Sequence, residues 1–140
     1  MNAEEYLNQA YKLNEKIKDK QERIAYLDEL SKTLSAIDYS KDRVQTSQAS
    51  DAQYVNILAR IDELKDEINQ SLLKLGDLQI EINRAIDAVE DVTCSLFLSK
   101  KYVLMKTMEE IAEDMGYSVG HIYKIQDKAL EAFKVPENII

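Results

Sequence analysis

The chain has one histidine, His121, and one cysteine, Cys94. That is too few ligands for a structural zinc site, and no intramolecular disulfide can form. No nucleophile is spaced to use His121 as a base, and there is neither a phosphate-cradling glycine loop nor a catalytic triad. The expectation is a protein that is not an enzyme and needs no cofactor. Cys94 reads as a packing residue, and His121 as a polar residue near a helix N-terminus. Glu109, Glu110, Glu113 and Asp114 form an acidic cluster with two pairs at i, i+4 spacing. A single helix face offers few converging ligands, so metal binding is not expected there. The cluster reads first as a solvated face, its repulsion softened by a nearby helix N-terminus, and second as a contact patch for a basic surface.

What remains is recognition chemistry, and the stretch MEEIAEDMGYSVGHIYKIQ, residues 108–126, is built for it. Two short helices crossing steeply need a small residue where the backbones approach and a residue tolerant of positive φ at the turn. Ala112 and Gly116 fit these two places. Thr107 with Glu110 has capping-box spacing for the first helix, and Ser118 can cap the second. Ile111, Met115, Ile122 and Ile125 then point inward, with Ala129, Leu130 and Phe133 continuing the stripe. Tyr102 and Val103 complete a three-helix core, Tyr102 and Tyr117 read as core or rim aromatics, and Pro136 stops the last helix near Lys134.

Val119, Gly120, Tyr123, Lys124 and Asp127 are left on the outer face of the second helix, with Ser118 and His121 near its start. In a DNA-binding helix-turn-helix this face enters the major groove. Lys124 suits guanine O6 or N7, Tyr123 a thymine methyl or a phosphate, and Asp127 cytosine N4. Ser118, His121 and Lys128 fall nearer the phosphates, and Lys106, beside Thr107, adds charge with Lys100 and Lys101. No arginine follows Arg84, so the strongest bidentate guanine reader is missing and one copy should bind modestly, and more weakly as salt rises.

These residues need elements to position them. Apolar residues at Tyr6, Ala10, Leu13, Ile17, Ile24, Leu27, Leu34 and Ile37 form a narrow seam, with a gap at Lys20 and a shift near Leu30 and Ser31. They predict a helix over about 3–37, opened by a capping box of Asn2 and Glu5. Polar, aperiodic DYSKDRVQTSQAS reads as a loop over 38–50, and Ser50 with Gln53 supplies a second capping box. A helix over 51–93 follows. Its seam alternates steps of three and four from Tyr54 through Ile57, Ile61, Leu64, Ile68, Ser71, Leu75, Leu78, Ile82, Ala85 and Val89 to Val92, as in a coiled coil. Such a seam needs a covering helix, and an antiparallel hairpin or a homodimer provides one. The expected fold is all-α, a coiled-coil hairpin over 1–93 followed by a helix-turn-helix domain over 94–140.

Formal net charge is -8, which argues against chain-wide attraction to phosphates or anionic lipid. The charge is uneven: residues 1–95 hold 12 Lys and Arg against 19 Asp and Glu, and residues 96–140 hold 6 against 7. The last third can therefore carry a local basic face. The start MNAEEYLNQAYK lacks the order of a signal peptide, and no apolar run can span a bilayer, so no membrane partner and a cytoplasmic location are expected.

At KKYVLMKTMEEIAEDMGYS and HIYKIQDKALEAF the chain resembles the region-four helix-turn-helix of sigma factors. With NAEEYLNQAYKLNEKI, the DRVQTS stretch and EINRAIDAVED, nearly the whole length resembles short sigma-like proteins of phages and mobile elements of Gram-positive bacteria. Thr107, Glu110, Ile111, Ala112, Gly116, Tyr117, Ser118, Lys124 and Leu130 match the motif. Met105 stands where that family usually has Gly or Asn, which implies a differently built turn, and Gly120 stands where a basic or polar residue is common. The resemblance implies a phage transcriptional regulator acting on double-stranded promoter DNA, with RNA polymerase as a possible partner. Two rivals remain: a helix-turn-helix that only docks to polymerase or another factor, and a small-terminase-like DNA-packaging protein.

Overall fold

The computed structural model describes the backbone of residues 1–40 and 43–136, and the side chains of 1–36 and 51–136. The protein is all-α, and no strand occurs among the described residues. Its helices are α1 (Ala3–Ser40), α2 (Arg43–Asp87), α3 (Val92–Leu98), α4 (Met108–Met115) and α5 (Val119–Ala132), with a wider helical turn over Ser99–Val103 between α3 and α4. Among the described residues no helix is long and apolar enough to cross a membrane.

The chain divides into two compact units: Met1–Asn14 with Lys74–Ile140, and Glu15–Leu73. This differs from a division at residue 93. The start of α1 and the end of α2 belong with α3, α4 and α5, because one apolar cluster joins Tyr6, Leu7 and Ala10 to Ile82, Ile86, Phe97, Ile111, Ile122 and Phe133. Leu7, off the α1 seam, is fully buried for that reason.

In the first unit Asn2 caps α1, its Oδ1 accepting from the Glu5 backbone N–H at 2.8 Å. The Tyr6 hydroxyl donates to Glu81 of α2 at 2.8 Å. Burial raises the Tyr6 hydroxyl pKa, and the Glu81 hydrogen bond and charge raise it further.

In the second unit Ile17, Ile61, Leu64 and Ile68 are buried, each such side chain contributing about 1.5–3 kcal/mol. The gap and the shift in the α1 seam are filled by polar side chains. Lys20, only 19% exposed, reaches Glu67 at 3.6 Å. Ser31, 5% exposed, donates to the Asp28 carbonyl at 2.7 Å, whereas Leu30 is turned outward. The positions Ile17, Lys20, Ile24, Leu27, Ser31 and Leu34 therefore keep the three-four alternation unbroken. Ile37 lies outside the residues whose side chains are described.

Two boundaries differ from the sequence expectation. The loop over 38–50 is helical up to Ser40 and again from Arg43, so Ser50 does not open α2, and residues 41–42 lie outside the described residues. α2 ends at Asp87 rather than 93, and the Asp91 carboxylate starts α3 by accepting from the Cys94 N–H at 3.0 Å. That bond holds the Asp91 carboxyl below the usual range, against a smaller opposing effect of desolvation. Val92, expected on the seam, is 71% exposed, since the chain has already turned.

Candidate nucleic-acid interface

α4 forms because Thr107 and Glu110 satisfy its first turn reciprocally: each donates a backbone N–H to the other's side-chain oxygen at 3.2 Å. Gly116 ends it in the left-handed region at φ 74°. The Tyr117 N–H donates to the Ala112 carbonyl at 3.0 Å and the Gly116 N–H to the Glu113 carbonyl at 3.3 Å, which together form a Schellman close. Ser118, extended at φ -70° and ψ 156°, then caps α5 by accepting from the His121 N–H at 3.2 Å.

Ile111 and Ala112 of α4 and Ile122, Ile125 and Ala129 of α5 are buried together with Phe97, Leu98 and Tyr102. Met115 and Leu130 pack on the edge of this core. Cys94 lies inside it, and burial pushes its thiol pKa up. α5 ends at Ala132, two residues before Lys134, because Phe133 leaves helical geometry at ψ 130° and turns into the core.

The residues expected at an interface come from α5 with its N-cap and from the turn before α4. Ser118, Val119, Gly120, His121, Tyr123 and Lys124 form an exposed face on the first two turns of α5. Tyr123 is 52% and Val119 37% exposed. A Cβ added at Gly120 would meet nothing within 4 Å, so the glycine leaves open space on this face. The His121 ring lies 4.7 Å from the Tyr117 ring at a tilt of 54°; Tyr117 is thus a rim aromatic, exposed like Tyr123.

Asp127, three residues beyond Lys124, and Lys128, four beyond it, are exposed one turn further along the same side of α5. Asp127 lines a groove with Asn2, Ala3, Glu4, Leu130 and Glu131, whose acidic wall repels phosphate. The Lys128 charge acts on Asp91, at the start of α3. Thr107 is committed to its capping box. Lys106 donates to Asp114 at 2.5 Å, and Lys100 reaches the same carboxylate oxygen at 3.5 Å. The Asp114 carboxyl is held below its ordinary pKa, chiefly by the Lys106 hydrogen bond.

Two features of this region were not read from the sequence. The acidic cluster is not one solvated face, since Glu110 serves the cap and Asp114 the two lysines. The i, i+4 pairing of Asp114 with Glu110 gave no hint of partners on the preceding segment. The other is the turn that carries those lysines. Leu104 donates its N–H to the Ser99 carbonyl at 3.0 Å and Lys106 to the Lys100 carbonyl at 3.0 Å, longer loops than an α-helix closes. Met105 between them takes φ 55°, the one non-glycine residue with positive φ among the described residues. The substitution of Met where Gly or Asn was expected therefore falls on a left-handed position.

No protein-family model, no curated protein and no solved structure matches this chain.

Proposed function

We propose that the chain is a sequence-specific DNA-binding transcriptional regulator of the phage type, with α4 and α5 forming a sigma-region-four-like helix-turn-helix. α5 is its recognition helix. The observation that carries this reading is the exposed face from Ser118 to Lys124, set on a bihelical unit whose partner faces are buried. Lys124 is its cation for guanine edges, Tyr123 its contact to a thymine methyl or a phosphate, and Ser118 and His121 lie where the helix start favours phosphate. Asp127, as an acceptor for cytosine N4, and Lys128, nearer the phosphates, extend this face by a further turn. The motif residues Thr107, Glu110, Ala112, Gly116, Tyr117 and Ser118 support it by the roles they have in capping, closing and lining the unit. α1 and α2 act as an antiparallel coiled-coil hairpin that joins two copies or docks to RNA polymerase in the bacterial cytoplasm. A homodimer presents two α5 helices to paired half-sites and so offsets a weak single contact.

A second reading is favoured by one observation. The same face exposes Val119, Tyr117 and Tyr123 and has no arginine, and the neighbouring groove is acidic, as suits docking to a protein without reading DNA.

The discriminating experiment is selection of binders from a random-sequence duplex pool, followed by titration of wild type and Lys124→Glu at two salt concentrations. The DNA reading expects an enriched motif, affinity that falls steeply with salt, and at least about a tenfold loss in the variant. Equal binding by both proteins, or no enrichment, excludes groove reading by α5.

A further inference from the structure

We infer that Asp114 masks a phosphate-binding pair of lysines, Lys100 and Lys106, and that nucleic acid binds there by displacing the Asp114 carboxylate. The inference rests on the DNA-binding reading above and concerns a surface beside α5.

Both ammonium groups converge on one oxygen, Oδ2 of Asp114, at 2.5 Å from Lys106 and 3.5 Å from Lys100. The three groups sum to a charge of about +1, so one carboxylate cancels half of what the two lysines would show a phosphate. All three side chains remain partly open, Lys106 at 32%, Lys100 at 23% and Asp114 at 34% exposure. Ion pairs this exposed to solvent add little to stability, because water and salt screen them. A duplex phosphate, with several oxygens and counterions to release, can therefore compete for the same ammonium groups.

The geometry holds the lysines in place while the anion changes. Their backbones are tied by the bond from the Lys106 N–H to the Lys100 carbonyl, and Met105 fixes the turn between them. Asp114, by contrast, is one exposed side chain on α4 and can swing to solvent without disturbing Ile111 or Ala112. The other carboxylate acting on Lys106, that of Glu110, is already engaged by the Thr107 N–H. Glu109 and Glu113 form no salt bridge to a described lysine, so they bear the same charge on the same helix without the mask.

The test is titration of short random-sequence duplexes at about 50 and 200 mM salt with wild type, Asp114→Asn, Glu109→Gln, Glu113→Gln and the double variant Asp114→Asn/Lys106→Gln. Circular dichroism melting confirms that each is folded. Removing a charge close to a bound phosphate is expected to tighten binding by Asp114→Asn about three- to tenfold at low salt. Its salt slope should steepen by about 1. The two glutamate variants should change affinity less than twofold, and Lys106→Gln should abolish the Asp114→Asn gain. A gain at Asp114 no larger than that at Glu113 overturns the masking inference and leaves the DNA reading standing. If neither wild type nor Asp114→Asn binds duplex DNA, both fall.

Discussion

Tyr6 stacks on Phe133, with ring centroids 5.8 Å apart and planes 29° from parallel. The second turn of α1 is thereby part of the wall against which α5 ends. The C-terminal helices share one core with α1 and α2, in which Leu7, Ile82, Phe97, Ile111 and Ile122 have almost no exposed surface. A fragment of residues 94–140 alone would leave the inner faces of α3 and α5 in water. That fragment is expected to show little cooperative melting by circular dichroism. In the full chain Phe133→Ala should cost about 3–5 kcal/mol in urea unfolding, as truncation of a buried aromatic side chain does. A 94–140 fragment that melts sharply would show the start of α1 to be dispensable.

That arrangement explains what was legible in the sequence. The capping pairs, Asn2 with Glu5 and Thr107 with Glu110, involve only neighbours, and both are present. The turn at Gly116 and the inward stripe of Ile111, Ile122, Ile125 and Ala129 were legible for the same reason. The division at residue 93 was not, because apolar periodicity marks which side of a helix is buried and not which helix covers it; Leu7 and Ile86 are buried by elements far away in sequence. Lys20 and Ser31 looked like faults in a seam because an apolar scale does not register a lysine paired with Glu67 or a hydroxyl bonded to its own helix. The exposed side of α5 was legible from its helical spacing. The acidic company of Asp127 and the approach of Lys128 to Asp91 were not, because they depend on tertiary placement, as does the capture of Lys106 by Asp114.

Tyr102 makes stability sensitive to alkali. Burial pushes its hydroxyl up to about 12, with the Glu4 carboxylate adding to the shift, whereas the unfolded chain ionises near 10. Below pH 10 both states keep the proton and nothing is lost. Between pH 10 and about 12 the unfolded state ionises while the folded state does not, so stability falls as pH rises, by up to about 1.4 kcal/mol per pH unit. Urea unfolding at stepped pH should show a gentler alkaline fall in Tyr102→Phe than in wild type. Identical slopes would mean that Tyr102 is not held neutral. Tyr6, raised in the same direction, supplies a parallel comparison through Tyr6→Phe.

Met105 tests the turn before α4. A left-handed conformation costs a residue with a Cβ about 1–2 kcal/mol, and Asn tolerates it better than most. Met105 also packs against the core, and its sulfur lies 3.6 Å from the Asn14 amide, so replacement loses contacts as well as strain. Met105→Asn is expected to stay within about 1 kcal/mol of wild type. Met105→Ile, with a branched Cβ in a left-handed position, should unfold at least about 1 kcal/mol more easily than Met105→Asn. Equal stability of the two variants would show that the turn is not held at positive φ.

Gly120 is the position where one substitution separates the two functional readings. It lies in the first turn of α5 with nothing within 4 Å of an added Cβ, so a long side chain can be accepted without repacking. Replacing glycine inside a helix gains up to about 0.5–1 kcal/mol, less this close to the end. Gly120→Arg should therefore leave the melting temperature equal or slightly higher. If α5 enters a major groove, the new guanidinium falls beside Lys124 and adds the bidentate donor that the face lacks. Affinity for selected duplexes should then rise by about 1 kcal/mol or more, with a salt slope steeper by about 1. If α5 instead docks to a protein, the same arginine fills the space that the glycine leaves open on the face and weakens that contact while DNA affinity stays unchanged. Fluorescence anisotropy with labelled duplex, read beside thermal melting of the same variant, distinguishes the two outcomes in one preparation.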